Sequence, residues 1–143
     1  MAKIYAIISG KGGVGKTTTA VNLGAALNKF KEDVIIVDAN LSTPNIGLHF
    51  GAPVVPVNLN HVLLGKAELE EAVYEHESGL KIIPSSLSLK DARKIKANSI
   101  EGLGKKLKKL ANFTILDSAA GLGEDVVSTI KLSDEVIVVV NPN

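Results

Sequence analysis

Residues 10–18 have the composition and spacing of a phosphate-binding loop. The fixed positions of the pattern G-x4-G-K-S/T are all occupied, by Gly10, Gly15, Lys16 and Thr17. Because glycine has no Cβ, consecutive backbone amides of such a loop can converge on an anion. We expect Lys16 to reach the β- and γ-phosphates of a nucleotide and the Thr17 hydroxyl to bind the Mg²⁺ that bridges them. The predicted nucleotide contacts are Gly10, Lys11, Gly12, Gly13, Val14, Gly15, Lys16, Thr17 and Thr18.

Two apolar runs end in an aspartate. Residues 34–37 precede Asp38, and residues 113–116 precede Asp117. A carboxylate at the end of a strand beside a phosphate loop can bind Mg²⁺ directly or through water, or it can orient an attacking water molecule. We therefore predict a metal site formed by Thr17, Asp38 and Asp117, and we expect Asp38 to take part in catalysis as well.

The phosphate loop lies between an apolar run and an amphipathic one, which predicts a strand over 4–9 and a helix over 19–30. Four further apolar runs predict strands, over 34–37, 80–84, 113–117 and 135–140. Continuous β-branched runs are typical of strands buried on both faces of a parallel sheet. Five strands alternating with helices predict a three-layer α/β fold around a mostly parallel sheet with right-handed crossovers. We expect one domain over residues 1–143.

Apolar spacing predicts several shorter helices as well. One begins near Leu59 and ends at Gly65, and a second covers residues 68–77. The others cover residues 88–94, a stretch with Ile100, Leu103, Leu107 and Leu110 on its inner face, and residues 125–131.

The composition is that of a globular domain, with 45% hydrophobic residues among 143. A net charge of +1 gives no general attraction for nucleic acid, so nucleic-acid binding is not expected. The chain contains no cysteine, which excludes disulfides and thiolate-bound zinc or iron–sulfur sites within it. One basic cluster is interpreted as a solvated helix face, with contact to acidic lipid or nucleic acid as the alternative; it comprises Lys105, Lys106, Lys108 and Lys109.

A second lysine directly follows the first glycine of the loop, and the sequence G-K-G-G-V-G-K-T-T resembles the deviant Walker A motif of the MinD/ParA family of P-loop ATPases. Residues 38–45 lie where that family has its first switch, and residues 41–48 look more similar to MinD-type cell-division ATPases than to plasmid-partition ones. Residues 113–117 resemble its Walker B strand and 117–123 its second switch. The resemblance implies that Lys11 reaches across a nucleotide-sandwich dimer to the partner's phosphates. An added cation commonly stabilises a transferring phosphoryl group. Because Arg93 is the single arginine of the chain, Lys11 is the better candidate for this cation.

Asn40 departs from the pattern of the family. The resemblance implies an aspartate at this position, with the role of positioning or activating the hydrolytic water. An amide oxygen accepts a hydrogen bond from water, but the amide cannot take up a proton. We therefore predict that Asn40 contributes to catalysis by positioning water and not as a general base. An ordinary loop or capping asparagine is the alternative.

The resemblance implies a MinD-like ATPase that binds ATP or ADP with Mg²⁺. A homodimer would hold ATP between its subunits, and hydrolysis would release a protein partner in division-site placement or a related positioning task. Only the N-terminal part of the family's domain is matched, so the adenine pocket and a C-terminal membrane-contacting helix are expected outside these residues, leaving 136–140 as an edge strand. The expected location is the cytoplasm, and the inner face of the cell membrane for a full-length form.

Three alternatives remain open at this point. A nucleotide-gated binding scaffold would hold ATP or ADP with little hydrolysis, which Asn40 favours. A ParA-type partition ATPase would carry its DNA-binding surface outside these residues. An ATP-dependent small-molecule ligase or kinase needs a second substrate pocket, of which the sequence gives no sign. The bridging cysteines of iron–sulfur relatives have no counterpart.

Overall fold

The structure is a computed structural model that describes residues 1–41, 43–44, 46, 56–86 and 93–142. These residues form a sheet with helices on both of its faces. The strands are β1 (Lys3–Ile8), β2 (Val34–Asp38), β3 (Tyr74–Glu75), β4 (Lys81–Ile83), β5 (Phe113–Asp117) and β6 (Glu135–Val138). The α-helices are α1 (Lys16–Lys29), α2 (Leu59–Leu63), α3 (Gly104–Leu110) and α4 (Glu124–Leu132), and 3-10 helices cover Leu69–Ala72 and Ala97–Leu103.

The strand order of the sheet is β3-β4-β2-β5-β1-β6, and every neighbouring pair is parallel except β3 and β4. Strand β5 therefore lies between β1 and β2. The register places Asp117 beside Ile7 on one side and beside Asp38 on the other. The loops that follow these three strands consequently begin at the same edge of the sheet, where parallel α/β folds bind their ligands.

Each face of the sheet carries a hydrophobic core. On one face, Ile36 and Ile115 pack with Ala20 of α1. On the other face, Leu116 packs with Leu107 of α3. These two layers of helices around one sheet confirm the predicted three-layer α/β fold.

Helix α1 lies close to the sheet because residue 24 is a glycine. A Cβ at Gly24 would be 2.4 Å from Cδ1 of Ile36 and 2.7 Å from its Cγ1. A larger residue would push α1 away from β2, since such short contacts do not occur between real atoms. The close packing fixes the N-terminus of α1, and with it the phosphate loop, at the carboxyl edge of the sheet.

All five predicted strands are present, but the helix predicted over 68–77 is wrong, and the sheet has a sixth strand in its place. Residues Leu69–Ala72 form a short 3-10 helix, whereas Tyr74 and Glu75 pair antiparallel with β4. Gly79, with a φ of 92°, lies in the turn that joins β3 to β4. The spacing of apolar residues could not show this pairing, because it depends on contact with a strand further along the chain.

The remaining helices differ from the predictions mainly at their ends. Helix α1 begins at Lys16, inside the predicted phosphate loop. The helix predicted around Ile100 and Leu107 is divided, with a 3-10 segment up to Leu103 and α3 from Gly104. The helix predicted over 88–94 lies mostly outside the described residues.

Strand β6 forms one edge of the sheet and pairs with β1 alone. Val136 and Val138 are 38% and 57% exposed, because no strand covers the outer side of β6 in the described part of the chain. Across the same residues, no helix has the length and apolar character that crossing a bilayer requires.

Asp134 attaches the start of β6 to β1. Its Oδ2 accepts the N–H of Ile4 at 2.8 Å, and its own N–H donates to the Ile4 carbonyl at 2.8 Å. The hydrogen bond from Ile4 and the hydrogen bond from Lys108, 3.1 Å away, hold the pKa of Asp134 below its usual value of 3.8. A carboxyl group with a lowered pKa in the folded state stabilises the protein above pH 3.8 and loses that contribution as the pH falls through the two pKa values.

We expect Asp134→Asn to lower the free energy of unfolding at pH 7, and the difference from the wild type to shrink as the pH falls below about 4. The loss at pH 7 should stay below about 1 kcal/mol, since solvent screens a side chain that is about one-third exposed. Urea unfolding from pH 7 down to pH 3 measures it. A difference that does not change with pH would show that the charge of Asp134 contributes nothing.

Candidate functional site

The phosphate loop joins the end of β1 to the start of α1. Gly13 and Gly15 have φ angles of 73° and 92°, which residues with a Cβ rarely adopt. At the first turn, both the N–H and the hydroxyl of Thr19 donate to the Gly15 carbonyl. The first amides of α1 are therefore presented at the carboxyl edge of the sheet, where unpaired N–H groups and the helix dipole favour an anion.

Lys16, Thr17 and Asp117 are in direct contact. Lys16 Nζ lies 2.6 Å from Asp117 Oδ1, and the Thr17 hydroxyl donates to Asp117 Oδ2 at 2.8 Å. The Lys16 and Asp117 side chains are only 8% and 0% exposed, so the ion pair is buried. The structure thus brings together the predicted phosphate-binding cation and two of the three predicted metal ligands.

A cavity of about 290 Å³ lies above these three residues. The phosphate loop forms one side of it with Gly12, Gly13, Gly15, Lys16, Thr17 and Thr18, and the rest of the lining comprises Ser9, Asn40, Thr43 and Ala120. The glycine-rich lining together with Lys16 and Thr17, more than the volume, makes the cavity suitable for the phosphates of a nucleotide.

The chemistry of the cavity fits a phosphate chain with Mg²⁺. Ser9 lines the cavity, and its buried Oγ has no hydrogen-bond partner among the described residues. The Thr17 hydroxyl and the Asp117 carboxylate are hard oxygen ligands of the kind Mg²⁺ prefers. The described part of the chain contains no group of three or more His, Cys, Asp or Glu residues that could hold a metal.

Asp38 lies next to Asp117 in the sheet, but its carboxylate is bound to the loop that follows β2. Oδ1 accepts the N–H of Asn40 at 3.2 Å, and Oδ2 accepts the N–H of Ile46 at 3.1 Å. Asp38 is fully buried. In this arrangement its carboxylate holds the loop, and its predicted roles toward metal and water remain predictions.

Asn40 is paired with Thr43. Asn40 Oδ1 accepts the Thr43 N–H at 3.1 Å, and Asn40 Nδ2 donates to the Thr43 hydroxyl oxygen at 2.9 Å. Both residues line the same cavity as the phosphate loop. The sequence analysis gave no role to Ser9 or Thr43: Ser9 precedes the loop pattern, Thr43 lies within the predicted first switch, and only the fold places both at the cavity.

The segment after β5 is attached to the end of β1. The Ser118 hydroxyl donates to the Ile7 carbonyl at 2.7 Å, and the Gly121 N–H donates to the Ser9 carbonyl at 2.9 Å. Gly121 has a φ of 92°, which explains the glycine at this position. The predicted second switch is thus bonded to the residues that begin the phosphate loop.

Lys11 lies on the other side of the phosphate loop. It is exposed, and with Gly10 and Val14 it lines a separate cavity of about 280 Å³ beside Val139 and Val140. No described acidic side chain forms an ion pair with Lys11 within 4.0 Å. The predicted nucleotide contacts therefore fall into two groups, one inside the phosphate cavity and one facing outward.

A larger cavity, of about 730 Å³, lies between the second 3-10 helix and α4. Its lining includes Leu122 and Val127 but no residue of the phosphate loop. Chemistry identifies the smaller cavity as the functional site, since it alone of these two is lined by the phosphate loop and by Lys16 and Thr17, which contact the Asp117 carboxylate.

The parallel sheet and the loop between β1 and α1 define a P-loop nucleotide-binding fold. The chain belongs to the AAA domain family, whose sequence profile matches residues 2–143. The resemblance of the loop and its companion motifs to the MinD/ParA ATPases is confirmed by the relatives that the chain matches.

One relative is an uncharacterised ATP-binding protein of Methanocaldococcus jannaschii, 42% identical over 142 residues, which are 99% of this chain and 54% of the relative. The septum site-determining protein MinD of Pyrococcus horikoshii, solved in complex with Mg-ADP, has a TM-score of 0.95 at 35% identity and is matched over 59% of its length by the whole chain. Cobyrinic acid a,c-diamide synthase of Mycobacterium smegmatis, solved with an ATP analogue and magnesium, has a TM-score of 0.84 at 27% identity, with 98% of this chain and 60% of that one covered. The chain spans about half the length of the curated relatives it matches.

The buried ion pair predicts a coupling between its two members. We expect Lys16→Ala to cost about 3–5 kcal/mol, because it leaves the Asp117 carboxylate buried without its cation. The double variant Lys16→Ala/Asp117→Ala should be more stable than Lys16→Ala, since no buried charge is then left unpaired. Urea unfolding at pH 7 in nucleotide-free buffer measures both. Losses that simply add would contradict a direct interaction.

Proposed function

We propose that this chain is the Mg²⁺–ATP-binding part of a MinD-like ATPase. The observation that carries the proposal is the contact of Lys16 and Thr17 with Asp117 beneath a glycine-lined cavity. The structural neighbour from Pyrococcus horikoshii, a MinD complexed with Mg-ADP, supports this proposal. The proposed ligands are accordingly ATP, ADP and Mg²⁺.

Lys16 changes its partner in the proposed reaction. When a nucleotide binds, the ammonium group would exchange the Asp117 carboxylate for the phosphate oxygens, to which the amides of α1 would also donate. Asp117 and Thr17 Oγ1 would then be free to hold Mg²⁺, which would supply positive charge to the phosphates. The attacking water is proposed to lie near Asp38 and Asn40. Catalysis by these residues is mainly electrostatic.

The proposal includes an ATP-dependent homodimer in which Lys11 contacts the phosphates bound by the partner. Lys11 is exposed, lies outside the phosphate cavity and forms no ion pair with the described residues, so it is available to a second subunit. A protein partner in cell-division placement or a related positioning task belongs to the same proposal. So do a cytoplasmic location and membrane contact through a segment outside these residues.

A nucleotide-gated scaffold with little hydrolysis is the second candidate. The observation in its favour is that both polar atoms of the Asn40 side chain are bonded to Thr43. An asparagine cannot act as a general base, and one held by Thr43 is also less available to position water. Phosphate release by the wild type at saturating Mg²⁺–ATP separates the two candidates, since the scaffold binds the nucleotide without turnover.

We expect Lys16→Gln to reduce phosphate release by about 100-fold or more, because it removes the cation that meets the phosphates. Glutamine keeps a hydrogen-bond donor for Asp117, so the variant should stay folded. The measurements are calorimetric affinity for Mg²⁺–ATP and phosphate release, with folding checked by circular dichroism. Unchanged nucleotide affinity in a folded variant would overturn the proposed site.

Lys11→Ala should abolish ATP-dependent dimerisation and change the affinity of a monomer for ATP by no more than about fivefold, as expected for one exposed lysine. Sedimentation with and without Mg²⁺–ATP gives the mass. Lys29→Ala is the matched control, because Lys29 is exposed at the far end of α1. Dimerisation retained by Lys11→Ala would contradict its proposed role.

A further inference from the structure

We propose that Thr43 binds the terminal phosphate of ATP and that Asn40 positions the Thr43 hydroxyl as the hydrogen-bond donor. This inference rests on the proposed function, and it names the residues that distinguish a triphosphate from a diphosphate. It assigns to Asn40 a positioning role that an aspartate could not perform.

The direction of the hydrogen bonds between Asn40 and Thr43 is fixed by the backbone. The Thr43 N–H can only donate, so the Asn40 atom that faces it at 3.1 Å must be the acceptor, Oδ1. The other amide atom is then Nδ2, which donates to the Thr43 hydroxyl oxygen at 2.9 Å. The Thr43 hydroxyl therefore accepts from Asn40 and keeps its own proton for another partner.

That proton is available to the phosphate cavity. Thr43 is exposed and lines the cavity together with residues of the phosphate loop. Among the described residues, no acceptor takes the hydrogen of its hydroxyl group. A donor at this position suits an anion in the cavity, because a hydrogen bond to a charged oxygen is stronger than one between neutral groups.

The loop that carries Thr43 is held in place from β2. The buried Asp38 carboxylate accepts the N–H of Asn40 and the N–H of Ile46, which precede and follow Thr43. Thr43 lines the same cavity as Lys16, the lysine expected at the β- and γ-phosphates. We therefore assign its hydroxyl to the terminal phosphate, which ATP carries and ADP lacks.

An aspartate at position 40 would reverse this arrangement. Both oxygens of a carboxylate are acceptors, so one would take the Thr43 N–H and the other would take the hydroxyl proton. The cavity would lose a donor and gain a negative charge close to the phosphates. The amide of Asn40 therefore suits recognition of the triphosphate, whereas the aspartate implied by the family resemblance suits handling of water.

The test compares affinities for Mg²⁺–ATPγS and Mg²⁺–ADP by calorimetry. We expect Thr43→Val to weaken ATPγS binding by about 10- to 100-fold, the usual effect of losing a hydrogen bond to a charged group, and ADP binding by less than about threefold. Thr43→Ser keeps the hydroxyl and should bind both nucleotides nearly as the wild type does. Thr114→Val is the matched control, because Thr114 is buried in β5, outside the cavity, and its hydroxyl has no partner among the described residues.

Two results would overturn the inference. One is that Thr43→Val binds ATPγS as tightly as the wild type does, and the other is an equal loss of affinity for ATPγS and ADP, which indicates a structural role. A wild type that binds neither nucleotide would instead overturn the proposed function.

Asn40→Asp tests the positioning role separately. We expect this variant to weaken ATPγS binding more than ADP binding. On the Asn40→Asp background, Thr43→Val should weaken ATPγS binding by less than about threefold further, because the carboxylate already takes the hydroxyl proton. A full additional loss in the double variant would show that Asn40 does not act through Thr43. Circular dichroism confirms that each variant is folded.

Discussion

The ion pair between Lys16 and Asp117 joins two elements that lie about one hundred residues apart in the sequence, and its burial imposes conditions on both. A charged lysine and a carboxylate cannot be taken out of water unless their geometry is good and their remaining hydrogen bonds are made. The pairing of β1 with β5 brings the strand ends level, and Thr17 provides the second hydrogen bond to the carboxylate. The close contact of Gly24 with Ile36 keeps α1 at the depth this geometry needs. Sheet register, helix packing and site chemistry are therefore coupled.

The parts of this arrangement that local spacing determines could be predicted from the sequence. The phosphate loop and the strands that end at Asp38 and Asp117 all follow from residue types and their order. Strand β3 could not be predicted, because two residues become a strand only by pairing with β4. The hydrogen bonds between Asn40 and Thr43 could not be predicted either, since the turn geometry that makes them possible depends on the buried Asp38 carboxylate.

The fold alone leaves the chemistry open. A MinD and a cobyrinic acid a,c-diamide synthase both share it with this chain, at TM-scores of 0.95 and 0.84. Because proteins of this fold carry out different reactions, differences in function are expected from the residues that surround the phosphate loop in the cavity. In this chain the cavity carries the Asn40 amide paired with the Thr43 hydroxyl. On our proposal, the direction of the hydrogen bonds at Asn40 decides whether this part of the cavity favours binding the terminal phosphate or activating water.

Hydrogen bonds from backbone N–H groups hold the loops beside the phosphate cavity to two strand ends. Asp38 accepts backbone N–H groups of the loop after β2, and the end of β1 accepts those of Ser118 and Gly121 after β5. Each loop is thus bonded to the rigid sheet while its next residues, Thr43 in one and Ala120 in the other, line the cavity. If each loop can adopt two positions, a ligand that contacts both loops shifts the balance between those positions only by the difference between its affinities for them. We propose that such a difference arises at the Thr43 hydroxyl, which can bond to the ligand, and at Gly121, which permits the backbone to turn.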